Sequence, residues 1–326
     1  MKLNPVDQAV FFHGRDGDPR LGDVVFHDQK SSTLISSKAS YRIGIYGCPD
    51  DLGVRLNRGR AGAAGGPDAI RKALYKIVPP HSKTFSSSMV ITDHGNISVH
   101  ASDILATHRQ AQEASFHFAT HSNTIITLGG GHDFAAPNIL GWAEAHMKKK
   151  LGLVNIDPHL DVRDLEDGKP HSGTPFRQIM ESKLIASSCF TQFGARKSRN
   201  AALHWDYCKR QGIRICTFED LKRKKTITTS FTRELNRLAK VTDVIALTID
   251  LDSCSDISGA SAAPAVGFSA WELCEIAYIS GKNRQVTFLE LAELAPTLDP
   301  SGRSANVAAE ILYSFILGRS ETLKTK

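Results

Sequence analysis

Residues 151–163 read LGLVNIDPHLDVR. The first six are mostly apolar and rich in branched side chains, the composition of a strand buried on both faces. Directly after them come Asp157, His159 and Asp161, at alternate positions. Side chains two apart on an extended segment point the same way, so this spacing predicts that all three converge on one point. Two other stretches share the design. Residues 124–132 read TIITLGGGH, a branched run followed by three glycines that let the backbone turn and deliver His132 to the strand tip. Residues 244–252 read VIALTIDLD and close on Asp250 and Asp252.

Working outward, further branched runs occupy 41–46, 89–92, 189–193, 213–218 and 285–291. Helical patterns lie between them at 104–119, 135–147, 198–210, 229–239 and 270–279. Strands alternating with helices predict an α/β fold, three layers in αβα order around a central, mostly parallel eight-stranded sheet. Residues 41–326 contain no internal repeat, low-complexity tract or long linker and are expected to form a single catalytic domain. Residues 1–40 are polar and are expected to wrap its surface as an irregular extension. In such sheets the site lies beyond the carboxyl ends of the strands, where His132 and the aspartates fall.

The 326 residues are 41% hydrophobic and 23% charged, an ordinary globular composition. Neither a bilayer-length apolar run nor a charged-then-apolar leader pattern is present, which predicts a cytoplasmic protein with no membrane partner. The six cysteines lack CxxC or zinc-ligand spacing and read as thiols. A net charge of +6 raises the question of nucleic acid. The basic clusters at 148–150 and at Lys222, Arg223, Lys224 and Lys225 have no interleaved aromatic residues, so a solvated surface is expected and no nucleic-acid partner. The excess positive charge would favour an anionic substrate.

Four aspartates at the tip of a buried sheet carry a charge of about −4, which is costly without compensation. Two divalent cations would supply it. The set of four carboxylates and two imidazoles contains no thiolate, and such hard, oxygen-rich ligands suit manganese. A pair of such cations lowers the pKa of bound water to near neutrality. A single His after glycines is commonly a loop residue, and a single DxD is commonly a turn or a helix cap. All three motifs at carboxyl ends of strands point instead to metal.

The three segments resemble those of the arginase, agmatinase and formiminoglutamase family of ureohydrolases, which typically shows GG-x-H, D-A-H-x-D and S-x-D-x-D. The resemblance spans about residues 41–318 and includes GCPDDLGVRLNRGRAGAAGGPDAIRKAL, similar to the family's first loop and helix. It implies an arginase-like fold and two Mn2+ per subunit. By resemblance, His132 and Asp161 complete one metal's shell, His159 and Asp252 the other's, and Asp157 and Asp250 contact both. It further implies that His171, in KPHSGTPFRQ, is a mobile proton donor to the leaving nitrogen. Glu293 matches the carboxylate that holds the amidine or guanidine group, with Glu290 the competing candidate. Pro158 and Thr248 stand where the family usually has Ala and Ser, and SCSDISGASAAPAVGFS departs from the family's short proline-bearing loop.

Triple glycine before His132, NIDPHLDVR and HSGTPFRQ are most similar to formiminoglutamases. Arg163, two residues past Asp161, would repel a substrate's ammonium group and pair with a carboxylate. The expected substrate is therefore an anionic amidine, N-formimino-L-glutamate, cleaved to L-glutamate and formamide in histidine degradation. Ser172, Thr174 and Arg177 are further candidates for its distal carboxylate. The alternatives are a guanidine-cleaving hydrolase (arginase, agmatinase or guanidinobutyrase) that releases urea, and an inactive member kept for assembly. A one-zinc deacylase of related fold would need fewer ligands than are present. The resemblance also implies a homo-oligomer, trimer or hexamer. Finally, Cys48 and Cys254 both follow strand ends and are expected on the same rim, where a reversible disulfide could form.

Overall fold

A computed structural model of the chain describes residues 3–27, 40–81, 88–224 and 226–323. Lys225 and most of the second half of the N-terminal extension lie outside the described residues. Among the described residues the sheet has nine strands rather than eight: β1 (Leu3–Asn4), β2 (Tyr41–Gly47), β3 (Met89–Ile97), β4 (Thr124–Leu128), β5 (Leu151–Ile156), β6 (Phe190–Ala195), β7 (Arg214–Thr217), β8 (Val244–Asp250) and β9 (Val286–Ala292). Their order is β1-β3-β2-β4-β9-β8-β5-β6-β7. All neighbours are parallel except β1, which pairs antiparallel with β3 through Leu3↔Ile97 and Asn4↔Asn96. The extension is thus less irregular than expected. It caps one sheet edge and buries Val6, Val10, Phe11, Leu21 and Val25 in the core.

Alternation along each strand divides the apolar side chains between two cores. Ile126, Leu128, Val154, Ile156, Leu247, Ile249, Leu289 and Leu291 face one side, which is covered by helices Gly66–Leu74, Ile227–Ala239, Ala270–Lys282 and Arg303–Thr322. Ile125, Leu151, Leu153, Val244, Ala246 and Phe288 face the other, beneath helices Ile104–His121, Ala135–Ala145, Pro175–Ser182 and Ala202–Gln211. Every central strand is therefore buried on both faces, as its composition predicts. No helix among the described residues is long and apolar enough to cross a membrane.

One buried ion pair fixes the first loop. Arg71, on helix Gly66–Leu74, donates to both oxygens of Asp93 on β3, Nε at 2.7 Å and Nη2 at 2.9 Å. Both side chains are fully buried, and this bidentate geometry docks the helix, and the loop before it, against the sheet.

Candidate metal centre

The register brings four strand tips level. Leu128 of β4 pairs with Leu291 of β9, Leu291 with Ile249 of β8, and Ile249 with Ile156 of β5. The residues that follow leave the sheet together: the glycines and His132, then Glu293, then Asp250 and Asp252, then Asp157, His159 and Asp161. The sheet order, not the sequence, makes these neighbours.

Convergence is achieved differently from simple alternation. β5 ends at Ile156, so Asp157–Asp161 is a turn rather than an extended segment, and Asp161 sits at φ 46°. Asp157 Oδ1 accepts a hydrogen bond from the His159 backbone N–H at 2.7 Å. In the same way, Asp250 Oδ1 accepts from Asp252 N–H at 2.8 Å. Each leading aspartate holds its turn with Oδ1 and turns Oδ2 toward His132. Asp157 Oδ2, Asp161 Oδ2 and Asp250 Oδ2 lie 3.1, 3.2 and 3.2 Å from His132 Nδ1. Asp157 Oδ1 and Asp252 Oδ2 lie 3.4 and 3.2 Å from His159 Nδ1. Two donor groups result, His132–Asp157–Asp161–Asp250 and Asp157–His159–Asp252, and the carboxylate common to both is Asp157.

These separations fit small divalent cations. At bond lengths of about 2.0–2.2 Å, neighbouring ligands on one ion stand roughly 3 Å apart. In addition, Asp252 Oδ1 is buried with no hydrogen-bond partner among the described residues. The cluster's own electrostatics agree. Burial, then Asp252 and Asp157, push Asp250 well above the carboxylate range, and burial with Asp157 raises Asp161 to about 6. Burial opposes charge on His132, yet the surrounding carboxylates raise its pKa well above the usual histidine value. Left to themselves, these groups hold protons to limit their repulsion. Dications would take the place of those protons.

Beneath the centre lies a buried polar layer that sequence reasoning missed. His132 Nε2 is 3.0 Å from Thr248 Oγ1, whose hydroxyl donates to Glu290 Oε2 at 2.8 Å. Glu290 Oε1 accepts from Asn138 Nδ2 at 2.8 Å and from the Thr127 hydroxyl at 3.2 Å. The hydroxyl acceptor keeps the proton on Nε2 and leaves Nδ1 free to ligate. Glu290 is therefore a support for His132, and Glu293 is the carboxylate at the site. Glu293 sits at φ 69°, its N–H donates to Gly130 C=O at 2.8 Å, and its Oε1 accepts from His132 N–H at 2.9 Å. The glycines allow this crowding: a Cβ on Gly130 would lie 1.8 Å from the Asp50 carbonyl oxygen.

A cavity of about 320 Å³ opens over the centre. Its floor is acidic, with Asp161, Asp250, Asp252 and Glu293 beside His159, and its walls carry Arg58, Arg60, Arg163 and Arg199 with His204. Of the expected carboxylate contacts, Arg163 and Ser172 line it. Asn57 links them, with Oδ1 accepting from Arg163 Nη1 at 3.2 Å and Nδ2 donating to Ser172 Oγ at 2.9 Å. Thr174 and Arg177 do not line it. The Thr174 hydroxyl turns back to His171 C=O at 2.8 Å, and Arg177 pairs with Asp164 and Glu181 and lies over the Tyr207 ring. Both sit at the start of helix Pro175–Ser182, which points their side chains away. Arg60 fastens the 258–262 loop, donating to the Ala260 and Ser261 carbonyls at 2.8–3.0 Å.

His171 is buried directly behind Ser172. Its Nδ1 accepts from Gly173 N–H at 3.1 Å, its Nε2 has no partner among the described residues, and burial holds its pKa below the usual histidine value. Cys48 and Cys254 are free, buried thiols in this structure, and neither lines the cavity. Cys48 Sγ lies 3.8 Å from Asn138 Nδ2, and burial pushes Cys254 up to about 12, so neither forms thiolate readily at neutral pH.

The arginase family model matches residues 41–318. The formimidoylglutamase of Staphylococcus aureus is 29% identical over 296 residues, 90% of this chain and 91% of that one. That of Halalkalibacterium halodurans is 28% identical over 271 residues, 79% of this chain and 82% of the other. The crystal structure of Trypanosoma cruzi formiminoglutamase with Mn2+ superposes with a TM-score of 0.82 at 31% identity, covering 93% of this chain and 99% of that one.

Proposed function

The chain belongs to the arginase family, and from that premise we propose that it is a formimidoylglutamase, a binuclear manganese hydrolase that converts N-formimino-L-glutamate to L-glutamate and formamide in histidine degradation. The observation that carries this reading is the polarity of the cavity, with an acidic floor under arginine-bearing walls. The substrate has the complementary pattern: a cationic formimino group, one carboxylate on the carbon that bears its nitrogen and a second at the far end of the side chain.

Six residues would hold the metals: His132, Asp157, Asp161 and Asp250 on one side, and His159 and Asp252, sharing Asp157, on the other. Bound manganese would supply the positive charge that the four aspartates require and lower the pKa of water at the cavity floor. Glu293 then remains as the uncompensated carboxylate beside the reacting group, placed to accept from the formimino N–H groups. Arg163, fixed by Asn57 and backed by Ser172, accepts one substrate carboxylate in a charge-assisted pair. Arg58 and Arg199 offer charge for the second. Water adds to the formimino carbon, the C–N bond to glutamate breaks, and the departing amine takes up a proton. His171 delivers that proton after its ring turns from the Gly173 N–H toward the cavity and gains a proton near the carboxylates. The same arginines would disfavour arginine or agmatine, whose distal ends carry an ammonium group.

A cytoplasmic trimer or hexamer completes the proposal, on the strength of the family resemblance. The test is a substrate panel with manganese. Formamide release from formiminoglutamate, with no urea from arginine, agmatine or guanidinobutyrate, supports the assignment. Urea release from any of the three would move the chain to a guanidine-cleaving activity.

A further inference from the structure

The two ligand histidines are supported in different ways. His132 is held through its ring, because Thr248 engages Nε2. His159 has no such partner among the described residues. Its ring meets only Asp157 and Asp252, so its aim depends on the backbone that carries it.

That backbone is gripped by Asn200, from the segment after β6. Asn200 Oδ1 accepts from Leu160 N–H at 2.8 Å. Its Nδ2 donates to Pro158 C=O at 2.8 Å and to Arg196 C=O at 2.9 Å. Pro158 and Leu160 are the residues on either side of His159, so one carboxamide brackets the ligand. Arg196 N–H closes the arrangement on Pro158 C=O at 2.9 Å. Gln192 Nε2 donates to Leu160 C=O at 2.7 Å from the layer below. The next ligand, Asp161, is anchored separately, its carbonyl accepting from Phe176 N–H at 3.1 Å.

We propose that Asn200 is a positioning residue for the His159–Asp252 half of the metal centre, acting through the Pro158 and Leu160 peptide groups rather than by binding substrate, although it lines the cavity. This rests on the two-manganese reading above. A ligand held by Asp157 at its own N–H and otherwise through its peptide neighbours can swing when those neighbours are released, and loss of such outer support costs about 10–100-fold in metal affinity. The His132 half draws Asp157 and Asp161 from the same segment, but it keeps the Thr248 hold on its ring and the Phe176 anchor on Asp161.

The test is manganese titration of the full-length metal-free chain, followed by electron paramagnetic resonance and equilibrium dialysis. For Asn200→Ala, one ion should bind as in the unmodified chain and the second with a Kd raised about 10–100-fold. Asn200→Asp keeps the acceptor for Leu160 N–H but loses both donor bonds, and should fall between the two, which keeps the test available if the alanine variant folds poorly. At saturating manganese, kcat should recover with KM unchanged. Equal affinity at both sites, equal weakening of both, or a raised KM with normal metal binding would each overturn the inference. An unmodified chain that binds no manganese pair would instead overturn the metal centre itself.

Discussion

Replacing Thr248 with valine removes one hydroxyl and little volume, and the structure says what that hydroxyl holds. Thr248, His132 and Glu290 are all fully buried. The Thr248 oxygen accepts from His132 Nε2 at 3.0 Å and donates to Glu290 Oε2 at 2.8 Å. Thr248→Val therefore leaves an imidazole N–H and one carboxylate oxygen without partners in a site water does not reach. Each orphaned group costs about 1–3 kcal/mol, so the metal-free protein should lose roughly 2–6 kcal/mol. Glu290 keeps its bonds from Thr127 and Asn138, which favours the lower half of that range. The freed imidazole no longer has a fixed tautomer, so manganese affinity should also fall by about 10–100-fold. Thr248→Ser retains the hydroxyl and should lose only about 1 kcal/mol, for one methyl group, with manganese binding unchanged. Urea unfolding of the metal-free chains and manganese titration measure both effects. A valine variant within about 0.5 kcal/mol of the unmodified chain, with the same metal affinity, would refute the supporting role of Thr248 and Glu290.

Arg163→Ala should raise KM for formiminoglutamate by about 10–100-fold, the loss of a charge-assisted pair, with manganese content unchanged by metal analysis. His171→Asn should lower kcat by about 10²–10⁴-fold and leave both metals bound; a kcat within threefold would remove His171 from proton transfer. His94 reports on acid stability. Burial lowers its pKa to about 4 from an ordinary 6.5, so the folded chain keeps it neutral while the unfolded chain takes up a proton. Its contribution is complete above pH 6.5 and is lost as pH falls toward 4, by up to about 3 kcal/mol. His94→Gln should flatten that part of the urea-stability profile, whatever it does to stability at pH 7.

The branched runs announced β2 to β9 because each of these strands is buried on one or both faces. β1 gave no such signal: its two residues precede Pro5 and are held by the edge of β3 rather than by burial. Helix Arg303–Thr322 did carry a signal, with Val307, Ile311, Leu312, Phe315 and Ile316 on its buried stripe. The clustering of the six side chains was legible from their spacing, but its physical reason was not. Asp157 and Asp250 work as turn-holding carboxylates, and sequence alone cannot show where an extended segment stops. Arg58, Arg60, Arg199 and His204 were illegible because they come from two separate segments, the loop after Leu56 and the stretch leading into helix Ala202–Gln211, that only the strand order brings to one cavity. Thr174 and Arg177 misled for the opposite reason: they neighbour His171 in sequence, yet a helix begins between them and turns them away.

The six side chains at the strand tips are placed to cage two divalent ions. Anomalous diffraction at the manganese edge, from crystals grown with Mn2+, tests this placement directly. Two peaks should appear, one among His132, Asp157, Asp161 and Asp250 and the other among Asp157, His159 and Asp252. A map with no peak there, or with one ion and the remaining carboxylates turned apart, would contradict it.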